Sequence, residues 1–240
     1  MPVSADSSAL LGIFPKLAGE PIEYLGEGLD NTAYEVGKER VYLLPKNERS
    51  ARRLGMLNRL LPEIQKEVDV AIPVFTEVAK NEMGEVTAVG YSKVPGQPLL
   101  ASGVSRRKKD IEQALKDLAG FTSKLSQFPA QKAVQAGVKT TDHRRRAVEV
   151  FCKFARVAPA YMATSVIDFS EKAVGAYLEK PENFAQTPSL LHFDLHPNNT
   201  LFDKNCRLSG VIDFGCVQLG DAHYELATPW RCYGESNMRE

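Results

Sequence analysis

The 240-residue chain has no excess charge and no long apolar run, and each absence excludes a class of protein. Thirty Lys and Arg residues balance 30 Asp and Glu, whereas dedicated nucleic-acid binders carry an excess of basic side chains. No stretch approaches the roughly 18 consecutive apolar residues of a membrane span. The apolar run at 9–14 stops at Pro15 and is too short for a signal peptide. We therefore expect a soluble, cytoplasmic protein that binds neither nucleic acid nor a membrane.

The chain also lacks any Cys-x-x-Cys pair. Its four cysteines are Cys152, Cys206, Cys216 and Cys232, and this spacing suggests neither a zinc site nor a redox dithiol. A chain of this length buries enough apolar surface to fold without a disulfide or a metal. We expect reduced and mostly buried thiols, as is usual in the cytosol.

The first part of the chain reads as a small sheet with one helix. Strand-like segments occur at 22–25, 33–36, 40–44, 72–78 and 86–94, the first three with apolar and polar residues alternating. After Pro45, leucines at positions 54, 57 and 61 have the spacing of a helix face. The sequence Pro-Gly-Gln-Pro at 95–98 then interrupts regular structure. We place a boundary there, between an N-terminal lobe of residues 1–95 and a C-terminal lobe of residues 96–240.

The second part has mainly helical periodicity. Helices are predicted over 111–125, 147–157 and 167–178, and short strands around 190–192, 200–202 and 210–212. The basic runs at 106–109 and 144–146 lie in helix-like surroundings, where exposed helix faces are the expected location. A β-rich lobe followed by a mainly helical lobe predicts the α+β class, with two lobes.

The chemistry of the chain is concentrated between residues 191 and 215. Phosphoryl transfer from a nucleotide requires oxygen ligands for Mg²⁺ and a carboxylate that orients the accepting hydroxyl and takes its proton. Kinases supply these groups as one Asp, an Asn five residues later, and a second Asp that begins an Asp-Phe-Gly turn. Asp194, Asn199 and Asp213 stand in this register, and Asp213 is followed by Phe214 and Gly215. The three elements together predict a kinase-type site.

These motifs resemble those of the aminoglycoside phosphotransferase family, a kinase-like group that also includes choline kinases. His192, Asp194 and Asn199 match its HxDxxxxN motif, residues 212–215 match its IDFG, and residues 220–227 look like its GDPxxDLA. The resemblance implies a protein-kinase-like fold and transfer of the γ-phosphoryl group of ATP or GTP to the hydroxyl of a small molecule. An aminoglycoside antibiotic is the leading substrate, while choline, a sugar, a macrolide or homoserine remain open.

The same resemblance implies roles for individual residues. Asp194 would be the catalytic base, Asn199 and Asp213 would bind Mg²⁺, and His192 would brace the loop by hydrogen bonds. A polycationic sugar would need a carboxylate-lined pocket, although acidic residues on helices are usually just solvated. The available acidic residues are Glu149, Asp168, Glu171, Asp221, Glu225 and Glu235.

Two further segments fall where the family binds its nucleotide. Gly26 and Gly28 belong to a turn that suits a cover over phosphates, because glycine lets the backbone approach closely; an ordinary hairpin turn is the alternative. The backbone C=O of Ser92 and N–H of Val94 fall at the interlobe hinge, where they would pair with the base of the nucleotide. A plain linker is the alternative there.

The sequence departs from the family at the phosphate-holding ion pair. The strand lysine of the family corresponds to Leu43, and the glutamate of the next helix falls on or near Arg53. Lys46 is the closest substitute, with Glu63 or Glu67 as possible partners. A nucleotide binder with little catalysis is therefore one alternative function. In addition, only 25 residues follow Gly215, which is short for the family.

The histidine-rich motif permits an alternative from another class. His192, Asp194 and His196 alternate along the chain, so in an extended segment their side chains would point to one side. Imidazole and carboxylate groups are ligands for Zn²⁺ or iron. This alternative is a metal-dependent hydrolase, in which Asn199 would have no role.

Overall fold

The computed structural model describes residues 7–98 and 108–233. Its first half is a five-stranded antiparallel sheet. The strands are β1 (Ile22–Glu27), β2 (Asn31–Val36), β3 (Arg40–Pro45), β4 (Glu77–Lys80) and β5 (Val86–Ser92). Their order in the sheet is β1-β2-β3-β5-β4. Helix α1 (Ser8–Ile13) precedes the sheet, and α2 (Glu48–Gln65) connects β3 to β4. Positions 106 and 107 of the first basic run, and Glu235, lie outside the described residues.

Helix α2 begins at a side-chain cap. The Asn47 side chain accepts a hydrogen bond from the Ser50 N–H at 3.0 Å, which satisfies one of the free donors of the first turn. The helix buries the leucines that the sequence placed on one face, at positions 54, 57 and 61. The predicted strand at 72–78 is wrong for most of its length, because only Glu77 and Val78 join the sheet. Ile72 is buried in a loop, where its N–H bonds to Gln65 Oε1.

The second half is mainly helical and also contains two small sheets. Its helices are α3 (Lys108–Ser126), α4 (Ala130–Ala136), α5 (His143–Val157), α6 (Thr164–Leu178) and α7 (Ala227–Tyr233). Its strands are β6 (Gln97–Pro98), β7 (Ser189–Leu191), β8 (Thr200–Phe202), β9 (Leu208–Val211) and β10 (Gln218–Gly220). β8 pairs with β6 and β9, and β7 pairs with β10. This architecture confirms the predicted α+β class. Within the described ranges, no helix is both long enough and apolar enough to cross a bilayer.

The largest hydrophobic cluster joins the two halves of the chain. It takes Leu57 and Leu61 from α2, and Phe121, Phe202 and Phe214 from the second half. The core therefore fixes α2 against the strands that carry the loop at 192–199. The lobe boundary near Pro95 stays a prediction, since α2 belongs by sequence to one lobe and packs against both.

The four cysteines differ from the sequence expectation in their exposure. All four are free thiols, but of these only Cys206 is buried. Cys152 and Cys216 are exposed, and Cys232 is half-buried. The prediction of mostly buried thiols is therefore wrong, because Cys152 lies on α5, a helix with few buried residues, and Cys216 lies in the turn after β9.

Candidate active site

His192 holds the loop between β7 and β8 to the end of β9. Its side chain has no exposed surface, and its Nε2 lies 3.0 Å from the Ile212 carbonyl oxygen, to which it donates. The Asp194 N–H donates to Nδ1 at 3.3 Å. Burial lowers the pKa of His192 to about 4, so the imidazole is neutral at pH 7. These are the hydrogen bonds expected of a bracing residue.

The same contacts argue against the hydrolase alternative. His192 Nε2 carries the proton that it donates to Ile212, and the lone pair of Nδ1 accepts from the Asp194 N–H, so neither ring nitrogen is available to a metal. His196 Nδ1 accepts from the Asn198 N–H at 3.3 Å. Among the residues that the structure describes, no group of three His, Cys, Asp or Glu side chains is arranged to hold a metal ion.

Asp194 and Asn199 are in direct contact across the loop. The Asn199 side-chain Nδ2 donates to the Asp194 backbone oxygen at 3.0 Å and to Asp194 Oδ2 at 3.1 Å. The Ile212 N–H donates to the Asn199 carbonyl at 2.9 Å, and Asp213 follows directly. The loop and the end of β9 are thus fixed together by backbone and side-chain hydrogen bonds.

Asp213 begins a short turn in a left-handed backbone conformation. Its φ of 61° lies in the left-handed region, which non-glycine residues rarely adopt, and its Oδ1 accepts from the Gly215 N–H at 3.3 Å. Burial raises the pKa of the neighbouring Cys216 thiol, and the negative charges of Asp194 and Asp213 raise it further. The charges of both carboxylates therefore reach the same thiol.

These side chains fit a magnesium ion. Mg²⁺ prefers hard oxygen ligands and binds through few protein carboxylates. Asp213 offers an exposed carboxylate. Because Nδ2 of Asn199 faces Asp194, its amide oxygen Oδ1 is directed away from that carboxylate and is available as a ligand. The donor set that the sequence predicted is thus chemically suitable.

Glu225 fixes the first residue after His192, a role that the sequence analysis missed. Phe193 has a φ of 66°, a strained conformation for a bulky residue. Its N–H donates to the Glu225 carboxylate at 3.0 and 3.3 Å. Glu225 is only 5% exposed, and burial raises the pKa of its carboxyl group to about 7. Glu225 is thus neither solvated, as acidic residues on helices usually are, nor free of partners, because its carboxylate holds the Phe193 N–H. Its place in the GDPxxDLA-like stretch, where the family has Asp, was the available signal.

The other acidic candidates are divided among several environments. Asp221 accepts from the His223 N–H at 2.9 Å and pairs with its ring. Glu149 pairs with Arg145 on α5, while Asp168 and Glu171 are exposed on α6. None of these contacts brings an exposed carboxylate of the described residues to Asp194.

The turn that contains Gly26 and Gly28 is open to solvent. Gly26 has a φ of 139°, a conformation that favours glycine, and no atom lies within 4 Å of the position of an added Cβ at either glycine. The Gly28 N–H bonds to the Asn31 carbonyl at 2.9 Å, and the Lys46 N–H bonds to the Asp30 carbonyl. Backbone hydrogen bonds at Asp30 and Asn31 thus fix the base of the turn, while the space beside Gly26 and Gly28 at its tip is open.

The positively charged side chains near this turn have acidic partners. Lys46 Nζ lies 2.7 Å from Glu27 Oε2, so its partner is neither Glu63 nor Glu67 as the sequence suggested; Glu63 pairs with Lys66 and Lys132. The Arg53 guanidinium is hydrogen-bonded to Asp30 Oδ2.

Leu43 is packed in an apolar environment rather than beside a charge. It contacts the cluster of Leu54, Val86 and Val89 between the sheet and α2. A residue that contributes to the core thus stands where the resemblance places the family's strand lysine.

The hinge segment lies against both halves of the protein. Ser92 ends β5 opposite Arg40, and Val94 is 6% exposed. Val94 packs against Gly210, where an added Cβ would be 2.2 Å from Val94 Cγ1. Burial raises the pKa of Tyr91, and the negative charge of Asp213 raises it further. The hinge thus lies beside the Asp213 turn, and hydrogen bonding of Ser92 and Val94 to a base stays a prediction.

Comparisons with known proteins agree with this geometry. The model of the phosphotransferase enzyme family (APH) matches residues 21–237. A mutant aminoglycoside 2'-phosphotransferase-IIIa in complex with GDP is 30% identical, with a TM-score of 0.86 over 97% of this chain and 78% of that one. The GDP and kanamycin complex of APH(2")-IIIa is 29% identical, with a TM-score of 0.85 over 97% and 80%.

A more distant similarity shows the fold alone. The macrolide 2'-phosphotransferase MphH from Brachybacterium faecium, in its apo form, is 20% identical with a TM-score of 0.67. The match covers 91% of this chain and 75% of that one. The predicted kinase-like two-lobed architecture is confirmed by these structures.

Proposed function

Because this chain belongs to the phosphotransferase enzyme family, we propose that it moves the γ-phosphoryl group of GTP or ATP to a hydroxyl of a small molecule, foremost an aminoglycoside. The observation that carries the proposal is the contact of Asp194 with Asn199, and of Asn199 with the strand that ends at Asp213. The two solved complexes at 29–30% identity contain GDP, and one of them also contains kanamycin. They support GTP as donor and an aminoglycoside as acceptor.

Asp194 would act as the catalytic base. One carboxylate oxygen accepts from Asn199, which fixes the group and leaves the other oxygen for the acceptor hydroxyl. As the hydroxyl oxygen forms its bond to the γ-phosphorus, the proton passes to Asp194, and the bond from phosphorus to the β-phosphate oxygen breaks. Asn199 and Asp213 would hold Mg²⁺, which neutralises charge on the phosphate oxygens when bound.

The remaining contacts to the donor follow from the open turn and the hinge. The free tip at Gly26 and Gly28 would cover the phosphates, and Lys46 stands at its base. Ser92 and Val94 would pair with the base of the nucleotide at the hinge.

A second candidate function rests on Leu43. The apolar environment of this residue leaves the β3 position without the family's cation. Removing one preorganised donor at a reacting oxyanion costs about 10²–10³ in rate. A nucleotide-binding protein with weak catalysis would have the same fold and the same Mg²⁺ ligands.

Binding and turnover distinguish these candidates. Calorimetry with GTP and ATP, with and without Mg²⁺, tests the site, and we expect metal-dependent binding of at least one nucleotide. Turnover is then measured with kanamycin, a macrolide, choline and glucose as acceptors. Phosphorylation of kanamycin supports the main proposal. Binding without turnover of any acceptor favours the weak catalyst, and the absence of metal-dependent nucleotide binding would refute both.

A further inference from the structure

The β3 position that usually supplies a cation cannot do so here. Leu43 lies among Leu54, Val86 and Val89, and the donor triphosphate still needs positive charge beside its α- and β-phosphates. The following inference rests on the proposed function and concerns which residue supplies that charge.

Arg53 is fixed at the junction of α2 and the glycine turn. Its guanidinium Nη1 donates to Asp30 Oδ2, and Ser50 Oγ donates to Asp30 Oδ1 at 3.2 Å. The Arg53 side chain is 23% exposed. The residue is therefore largely enclosed, with its charged end held at the base of the turn that would cover the phosphates.

The charge of Arg53 acts at the same place as the proposed catalytic carboxylates. Burial raises the pKa of the Cys216 thiol, and the negative charges of Asp194, Asp213 and Asp30 raise it further, whereas the charge of Arg53 lowers it. Lys46 is placed differently, because its partner Glu27 has a side chain that is 58% exposed. The Arg53–Asp30 pair is thus more enclosed, with side chains that are 23% and 29% exposed, than the Lys46–Glu27 pair at 32% and 58%.

We propose that Arg53 is the cation that binds the donor phosphates in this chain, and that Asp30 positions it. A guanidinium has five N–H donors in a planar fork. The hydrogen bond from Nη1 to Asp30 leaves the others for phosphate oxygens. Arginine is well suited to this role, since its fork matches phosphate geometry. The lysine and glutamate pair of the family is thereby replaced by an arginine on α2 and an aspartate on the turn.

The test compares a triphosphate with a nucleoside that lacks phosphates. Calorimetry is run with Mg²⁺ and GTP, ATP, guanosine or adenosine on the wild type, Arg53→Ala and Arg52→Ala. Arg52 is the matched control, since it precedes Arg53 on α2, is 67% exposed, and pairs with Glu48 on the outer face. We expect Arg53→Ala to weaken triphosphate binding about tenfold or more, the size of one lost hydrogen bond to a charged group. Nucleoside binding and the Arg52→Ala variant should stay within about twofold of wild type.

Asp30→Asn separates phosphate binding from a purely structural ion pair. If Arg53 serves only to fasten the turn to α2, Asp30→Asn and Arg53→Ala should weaken binding equally, and this result would overturn the proposal. If Arg53 binds phosphate, Asp30→Asn should keep most of the triphosphate affinity, since the amide oxygen can still accept from the Arg53 guanidinium and position it, while a nearby negative charge is removed. Arg53→Lys keeps the charge and should therefore lose less triphosphate affinity than Arg53→Ala. It replaces Arg53→Ala in the test if that variant does not fold.

The outcomes also separate this inference from the proposed function. Wild-type binding of Mg²⁺-nucleotide with unchanged affinity in Arg53→Ala would overturn the inference alone. A wild type that binds neither triphosphate would overturn the proposed function and the inference with it. A loss confined to triphosphates in Arg53→Ala, with partial recovery in Arg53→Lys, would support both.

Discussion

The buried carboxylate of Glu225 makes a specific contribution to the pH dependence of stability. Burial raises its pKa from the ordinary 4.5 to about 7, so between these values the folded protein holds a proton that the unfolded chain has released. Stability therefore falls as the pH rises through this range, and the full penalty is present above pH 7. At 1.36 kcal/mol per pH unit, the penalty is about 3 kcal/mol.

Glu225→Gln removes this penalty. The amide oxygen can still accept from the Phe193 N–H, which now bonds to the carboxylate at 3.0 Å, but it carries no charge to be buried. Any cost of enclosing the amide NH₂ is the same at every pH. The free energy of unfolding of Glu225→Gln, relative to wild type, should therefore increase by about 2–3 kcal/mol between pH 5 and pH 8.

Urea denaturation at pH 5 and pH 8 measures this difference. Glu149→Gln is the control, because Glu149 is exposed and pairs with Arg145 on the surface, and its effect should be almost the same at both pH values. A Glu225→Gln variant whose effect does not change with pH would show that the carboxylate is not held protonated by burial.

Two further predictions concern the metal and the β3 position. Asp213→Asn should weaken nucleotide binding in the presence of Mg²⁺, because the amide lacks the charge of the carboxylate ligand, and it should leave metal-free binding unchanged. Calorimetry measures both. If the variant bound Mg²⁺-nucleotide as tightly as wild type, the assignment of Asp213 as a metal ligand would be contradicted. Leu43→Lys should lower the free energy of unfolding by about 1–3 kcal/mol in urea denaturation, because the lysine would lose the apolar contacts of Leu43 with Leu54 and Val89. A variant as stable as wild type and with faster turnover would show that this position can still accept the cation.

Local patterns predicted most of the elements. Alternation at 22–25 and 40–44 corresponds to β1 and β3, and the leucines at 54, 57 and 61 correspond to the buried face of α2. The predicted strand failed at Ile72, because the apolar residues there lie in a loop and pack into the core without joining the sheet. Helix α4 was also missed, because seven residues are too few to show a helical period.

The candidate site was predictable where it depends on spacing along the chain. Asp194 and Asn199 lie in one loop, so a fixed separation brings them into contact. The partners of Arg53 and Glu225 depend instead on tertiary packing. Asp30 is 23 residues from Arg53, and Phe193 is 32 residues from Glu225. Nothing in the local sequence specifies either pair.

The most direct test of the proposed phosphotransferase is the comparison of Asp194→Asn with wild type in two assays. Phosphorylation of kanamycin from GTP or ATP reports catalysis, and calorimetry with Mg²⁺ reports nucleotide binding. Asp69→Asn is the control, since Asp69 is exposed and pairs with Lys124. We expect Asp194→Asn to lower kcat by about 10²–10⁴, with nucleotide affinity close to wild type and Asp69→Asn unaffected. Equal turnover in Asp194→Asn and wild type would contradict the assignment of Asp194 as the base and the mechanism built on it.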